Sequence, residues 1–321
     1  MVHFFGFEKD QEEAIQNGML SSGAINQLGN IEVYFNFDSQ QALNPNIENV
    51  LVIYEPECVM PWQYSIECRE MFNLVICLNP WRAKKHGIKN WDYQPIETMS
   101  YTSSRVSGKR TSDFVMVNSH KFSASHESGY SLRRKVIRLM EREGLDFSLY
   151  GHNWNMGKVM ELRKRVAAVR EVSRVSFKEI DWNEALSDFW VSYESYKGSI
   201  GNKLEILSSS KLAIIIENDF NTLSEKVFDA IFALTIPIYV GPDVSSIRGL
   251  QECLFVAKPN ASQIIELTKH ITRKALEDRR IAIEKFISDE TNMYFCNPRR
   301  VWENVGRMIA ENLTVSRKEL S

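Results

Sequence analysis

KLEILSSSKLAIIIENDFNTLSEKVFDAIFALTIPIYVGP, residues 203–242, is the stretch on which the fold turns. It reads as helix, strand, loop, helix, strand, loop. Residues 212–216 and 236–240 are short unbroken apolar runs, the pattern of parallel strands covered on both faces. Between them, 224–234 places Val227, Phe228, Ile231 and Phe232 at helical spacing. Strand, crossover helix and parallel strand make a right-handed βαβ unit.

The same alternation runs outward in both directions. Strands are predicted at 31–35, 50–54, 74–78, 114–117, 147–150 and 254–256. A helix is predicted over 129–144, carrying Leu132, Val136, Ile137, Leu139 and Met140, with Gly144 as its stop. The fold class is therefore α/β with open parallel sheets. The polar segment MSYTSSRVSGKRTSD, around 100–113, divides the chain. We expect one α/β domain over 1–105 and a second over 106–321. The second carries a charged, solvated helical insertion near 157–192 and a C-terminal helix.

Length and composition fit this layout. The 321 residues suit two domains, and 44% hydrophobic with 25% charged residues excludes intrinsic disorder. With 39 basic and 41 acidic residues the net charge is −2, so no nucleic acid or anionic surface is expected as the main partner. That balance leaves room for a local basic patch. No transmembrane segment is expected, because no apolar run approaches 18 residues. The opening MVHFFGFEKDQEE is acidic and does not read as a signal peptide. The expected address is cytoplasmic, with peripheral membrane attachment as an option. The five cysteines form no metal-ligand spacing and read as small core residues.

Several chemistries lack their motif: there is no GxGxxG, GxxxxGK[ST], HExxH or GxSxG. Nor is there an Asp-x-Asp of the kind that holds a divalent metal against a sugar nucleotide. The six histidines show no ligand spacing, and His120 and His126 read as surface residues of one loop.

Chemistry concentrates after residue 216. Glu217 and Asn218 stand at the carboxyl end of a buried strand, where ligands bind in open α/β sheets. Thr222 and Glu225 have capping-box spacing, which puts Lys226 in the first helical turn. A cation there opposes the helix dipole, so its removal should cost the fold little. Two alternatives stay open on physical grounds: a phosphate bound by Lys226 and the helix N-terminus, or a lysine extended into solvent beside a cap.

The run IIIENDFNTLSEKVFDAIFALTIPIYVGPDVS resembles the donor-binding motif of the family 10 glycosyltransferases, the α-1,3/1,4-fucosyltransferases, in their bacterial form. The matching positions are Glu217-Asn218, Ser224-Glu225-Lys226, Asp229-Ala230, Pro237-Ile238-Tyr239 and Gly241. Upstream, Tyr196-Lys197-Gly198, Asn202-Lys203 and Leu207 resemble the approach to this strand. DFVMVNSHKFSASHESGYSLRRKVIRLMEREGLDFSLYGHNW resembles the first donor-domain unit, with Asn118 at its strand end. Arg133 stands at the donor-contacting arginine, and Arg134 is the alternative. NVLVIYEPE resembles the acceptor-domain strand that ends in the catalytic glutamate, placing Glu55 there with Glu57 as the fallback. The sequence departs from the pattern in a shorter loop after Asn218, in Thr222 where a tyrosine is usual, and in the 157–192 insertion.

The resemblance implies a GT-B-like fold, two Rossmann-like domains facing each other across a cleft. It implies inverting transfer of fucose from GDP-fucose to a hydroxyl of an oligosaccharide acceptor. No cofactor is required, with stimulation by a divalent cation as an option. Glu55 is the implied base. Arg133 and Lys226 would hold the diphosphate, with Asn118, Lys197, Glu217, Asn218 and Glu225 also on the donor side. Two rivals are an exostosin-like GT-B enzyme with another nucleotide sugar and a non-catalytic glycan-binding derivative.

Overall fold

The computed structural model of the chain describes residues 1–6, 12–21, 23–35, 37, 41–90, 110–187, 189 and 192–319. In chain order the elements begin β1 (Val2–Phe5), α1 (Glu12–Ser21), β2 (Ile31–Tyr34), β3 (Glu48–Ile53), α2 (Ile66–Arg69), β4 (Leu74–Cys77), α3 (Pro80–His86) and β5 (Lys89–Asn90). Then come β6 (Ser112–Val117), α4 (Tyr130–Arg142), β7 (Phe147–Tyr150), α5 (Lys158–Val175), α6 (Trp182–Leu186), α7 (Lys203–Ser208), β8 (Ser210–Ile216), α8 (Lys226–Phe232) and β9 (Ile236–Val240). The chain closes with β10 (Phe255–Val256), α9 (Ala261–His270), α10 (Arg273–Ser288), α11 (Glu290–Phe295) and α12 (Pro298–Glu319). Two compact units result, Met1–Glu97 with Tyr294–Ser321, and Thr98–Met293.

The first unit is a five-stranded parallel sheet in the order β1-β2-β3-β4-β5. Its unbroken apolar strands are buried on both faces, as their composition requires. Val33, Val50, Val52 and Ile76 face one cluster that includes Ile15, Met19 and Trp302. Leu51, Ile53 and Cys77 face another with Phe37, Tyr64 and Phe72. β1 and β5 escape a reading from apolar runs: VHFF is a half-buried edge strand, and β5 has two residues. All five cysteines are free and buried.

One boundary needs correction. The sequence reading gave 106–321 to a single domain, but α12 returns to the first unit. Trp302, Val305 and Ile309 are fully buried in its core. Close approach of α1 and α12 makes this possible. A Cβ on Gly18 would lie 2.6 Å from Trp302 Cβ, and one on Gly306 would lie 2.4 Å from the Met19 carbonyl. The apolar face of α12 specifies burial but not against which sheet. The divider near 100–113 lies outside the described residues as far as 109.

Beyond β3, Glu57 closes the first unit with charge. Its Oε2 accepts from Arg82 Nη1 at 2.6 Å, Lys85 Nζ at 3.1 Å and His86 Nε2 at 3.1 Å. Arg82 is fully buried. Burial pushes the Glu57 carboxyl up, but the His86 hydrogen bond and the charges of Arg82, His86 and Lys85 outweigh it, leaving a value of about 2. Glu57 is thus a structural counter-charge.

The second unit is also five parallel strands, in the order β10-β9-β8-β6-β7. The helical insertion at 157–192 corresponds to α5 and α6.

Two tests follow. Gly306→Ala should destabilise the chain by about 1–3 kcal/mol in a urea titration, because the helix backbones cannot separate without opening the Trp302 packing. Glu57→Gln should cost on the order of 3 kcal/mol at pH 7 by leaving Arg82 buried without its carboxylate. The Glu57 value is lower folded than its ordinary 4.5. Its contribution is therefore complete above about pH 4.5 and fades as pH falls towards about 2. Melts of the two proteins across that range should converge.

Candidate functional site at the switch of the second sheet

In the second sheet the chain moves from β6 outward to β7, then crosses to the other side of β6 for β8, β9 and β10. The strand order reverses between β6 and β8. The loops leaving a parallel sheet diverge at such a reversal, and the crevice beyond the carboxyl ends is where ligands bind. The first sheet runs 1-2-3-4-5 without a reversal.

Backbone contacts fix what stands there. Gly129, just before α4, donates its N–H to the Asn218 carbonyl at 2.9 Å. A Cβ at 129 would lie 2.2 Å from the Glu217 carbonyl, so glycine alone permits this approach. One turn on, the buried Arg133 donates from Nε to the Ile216 carbonyl at 3.0 Å and from Nη2 to Asn218 Oδ1 at 2.8 Å. Its guanidinium lies 5.0 Å from the Tyr130 ring. Arg133 thus ties the start of α4 to the end of β8.

Glu217 is fully buried. Its carboxylate accepts the Ser224 N–H at 3.0 Å, the Ser224 hydroxyl at 2.6 Å and Lys226 Nζ at 3.4 Å. Lys226 Nζ also donates to Ser224 Oγ at 2.8 Å. The wall behind Glu217 is tight: a Cβ on Gly241 would lie 2.3 Å from the Tyr239 hydroxyl and 2.9 Å from Glu217 Cγ. Beside this group Lys203 pairs with Asp229 and, at 3.6 Å, with Glu225. Burial raises the Glu225 carboxyl, but Lys226 and Lys203 outweigh it and hold it below its ordinary range.

Two expectations change. The Thr222–Glu225 capping box does not form, since α8 starts at Lys226 with Glu225 at its N-cap and no side-chain cap. The Glu217 carboxylate takes the Ser224 donors instead, which no local spacing rule anticipates. Nor does Lys226 extend into solvent or oppose the dipole without compensation. Its partner is a buried carboxylate, so its removal is costly to the fold.

The remaining residues divide. Asn118, just past β6, is buried, and neither Oδ1 nor Nδ2 finds a partner among the described residues. Its carbonyl accepts from Trp154 Nε1, and Gly151 (φ +135°) permits this close packing. Lys197 is exposed, on a segment that pairs with the outer edge of β7 through Lys197 N–H to Leu149 O at 2.8 Å. No described contact joins it to the β8 group. Glu55 lies in the first unit, half-buried, its carbonyl accepting from the Tyr64 hydroxyl at 2.8 Å. Glu57 is committed to its three partners.

His120 is not a surface residue. Its ring stacks on Trp154 at 4.5 Å, and burial first, then the Arg134 charge, lowers it to about 3, so the imidazole is neutral. His126 is exposed and lies 3.2 Å from Asp181.

Glu184 is a residue that the sequence reading passed over as part of a solvated insertion. Its buried carboxylate accepts the Ser131 N–H at 2.7 Å, at the start of α4, and lies 3.8 Å from the buried Arg134. The chain's own insertion thus places an anion on this helix N-terminus, where the dipole favours one. Burial dominates and raises the Glu184 carboxyl. The only sequence signal was Asp181, whose side chain caps α6 by accepting the Glu184 N–H at 3.1 Å.

No protein-family model matches the chain, and no curated protein matches it. Solved structures do. An α,α-trehalose-6-phosphate synthase from Burkholderia multivorans aligns over 98% of this chain and 78% of its own, at 10% identity and a TM-score of 0.51. A UDP-forming α,α-trehalose-phosphate synthase from Burkholderia vietnamiensis aligns over 96% and 81%, at 10% identity and TM-score 0.50. A trehalose-6-phosphate structure from Escherichia coli, bound with UDP-2-fluoro glucose, aligns over 95% and 79%, at 8% identity and TM-score 0.50. At such identities the likeness is one of fold. The two parallel-sheet α/β units are those of the GT-B fold.

Proposed function

We propose that the chain is a GT-B glycosyltransferase that takes a sugar from a nucleotide-sugar donor, with GDP-fucose as the donor and an oligosaccharide hydroxyl as acceptor. The observation that carries this reading is the gathering of Arg133, Glu217, Asn218 and Lys226 at the β6–β8 switch, with the buried Asn118 at the carboxyl end of the adjoining β6. The fold neighbours include a UDP-forming synthase and a structure bound with UDP-2-fluoro glucose. GDP and fucose rest on the sequence resemblance alone.

On this reading the residues divide the work as follows. An ammonium has three N–H donors. Two of those on Lys226 go to Ser224 and Glu217, and the third serves a donor phosphate oxygen. Glu217 aims the lysine and does not itself touch phosphate. Arg133 holds Asn218 in place, and Asn118 offers its amide to the donor. Glu225 and Lys197 act at the rim of the donor site. As the glycosidic bond to the diphosphate breaks, negative charge grows on the leaving oxygen, and a fixed cation stabilises that charge more than the ground state. Glu55 takes the proton of the attacking acceptor hydroxyl. The anomeric carbon inverts, and the nucleoside diphosphate departs. None of these roles needs a metal or redox cofactor.

Donor class is tested by melting the protein with GDP, UDP or CMP. At a hundredfold excess over Kd, the true leaving nucleotide should raise Tm by about 5–10 °C. GDP is expected, a larger shift with UDP would favour the exostosin-like alternative, and no shift with any would sink the donor site. GDP binding without release of GDP from GDP-fucose, over a panel of glycan acceptors, would support a non-catalytic derivative.

Lys226→Ala should lower kcat/KM for the donor by about 2–4 kcal/mol. It should also destabilise the fold by about 1–3 kcal/mol, because Glu217 keeps its burial and loses its cation. The double variant Glu217→Gln/Lys226→Met removes both charges. It should recover most of the stability and none of the donor kinetics, whereas a purely structural ion pair would recover both.

A further inference from the structure

The insertion formed by α5 and α6 has two unlike faces. Its inner face is fastened to the second unit. Glu161 and Arg165 pair at 2.7 Å in a buried position, and Arg165 Nη1 donates to the Ala185 carbonyl at 2.7 Å. Val172, Ile180 and Ala185 close a small core with Ala124. With that face fixed, the opposite side of α5 is presented outward.

The outward side is apolar and basic together. Val159, Leu162 and Val166 follow one another at helical spacing, and all are exposed. Past α5, Phe177 is 76% exposed, Trp182 54% and Leu186 58%. The exposed charged side chains over 158–186 are Lys158, Arg163, Arg170, Arg174 and Lys178 against two carboxylates, Glu179 and Glu171, the second pairing with Arg174 at 3.0 Å. The whole chain carries −2, so this excess is local. Soluble proteins rarely leave such a patch uncovered without a partner.

We propose that this face of the insertion docks on the surface of an anionic phospholipid bilayer. Aliphatic and aromatic side chains enter the boundary between headgroup and acyl chain, while arginine and lysine meet the lipid phosphates. Nucleic acid would use the cations but offers nothing to Val159, Leu162, Val166 and Leu186. An acidic protein would not require these six apolar and aromatic side chains among the cations. No helix among the described residues is long and apolar enough to cross a membrane, so the contact lies in the plane of the surface. The proposal is independent of the donor chemistry.

The test is cosedimentation of the full chain, without any nucleotide sugar, with vesicles of phosphatidylcholine alone or with roughly a third phosphatidylglycerol. Binding to the anionic vesicles that weakens with salt is expected, with little on phosphatidylcholine. Arg163→Glu/Arg170→Glu should weaken it by roughly a hundredfold or more. Phe177→Ser/Trp182→Ser should reduce it at least about tenfold while leaving the melting temperature unchanged, because both side chains are exposed. Wild type that stays in the supernatant overturns the proposal, as does binding that neither double variant alters. A duplex-DNA shift or a dimer in gel filtration, either one lost with these same variants, overturns it in favour of those partners.

Discussion

A carboxylate held in the interior at the end of a strand organises the second unit. Glu217 is fully buried, and an ionised carboxyl there is costly unless donors and a cation meet it. Ser224 gives two donors and Lys226 the charge. That requirement sets the path of the loop from 218 to 225, which must bring Ser224 back to the strand end. It replaces the local cap of α8 and fixes the lysine. It also requires Gly241, because the Tyr239 hydroxyl and Glu217 Cγ fill the space a side chain would use. The motif is therefore one electrostatic assembly spread over 25 residues of sequence.

The neighbouring strand is joined to this assembly through backbone. Arg133 donates to the carbonyl of Ile216 and to Asn218, and Gly129 lets the start of α4 meet the Glu217 carbonyl. The reversal of strand order between β6 and β8 is thus closed by a buried guanidinium. A fork on phosphate was the sequence expectation for Arg133. Its present partners suit it to hold the crevice in shape, with Lys226 as the cation nearer to a ligand role.

Much of the fold was legible because buried parallel strands advertise themselves. The runs at 147–150 and 236–240 match β7 and β9 residue for residue, and 212–216 lacks only the first two residues of β8. Short or edge strands such as β1 and β5 carry no such signal. Long-range choices were illegible for a different reason. The face of α12 says that it is buried but not where, and the decisive detail is steric, two glycines facing a tryptophan and a backbone carbonyl. In the site, residue identities were legible and their partners were not. Lys226 looked like a cation without a partner because Glu217, nine positions earlier, meets it only after the chain turns. His120 looked exposed because nothing local announces its stacking on Trp154.

The start of α4 shows why the anion-binding argument shifts from helix ends to side chains. A helix N-terminus attracts phosphate when its N–H groups are open. Here the Ser131 N–H is occupied by Glu184, and that carboxylate is anchored by α6 and flanked by Arg134. A phosphate approaching this helix would meet a negative charge before it met the dipole. Three cations, Arg133, Lys203 and Lys226, stand against four carboxylates, Glu217, Asp219, Glu225 and Asp229, around the end of β8. Cations do not outnumber carboxylates there, so recognition of a diphosphate rests on where donors point rather than on excess charge. On the proposed reading, the remaining donor of Lys226 and the amide of Asn118 carry that recognition. The insertion is then part of the same design: its inner carboxylate takes over a helix end that would otherwise compete for the ligand.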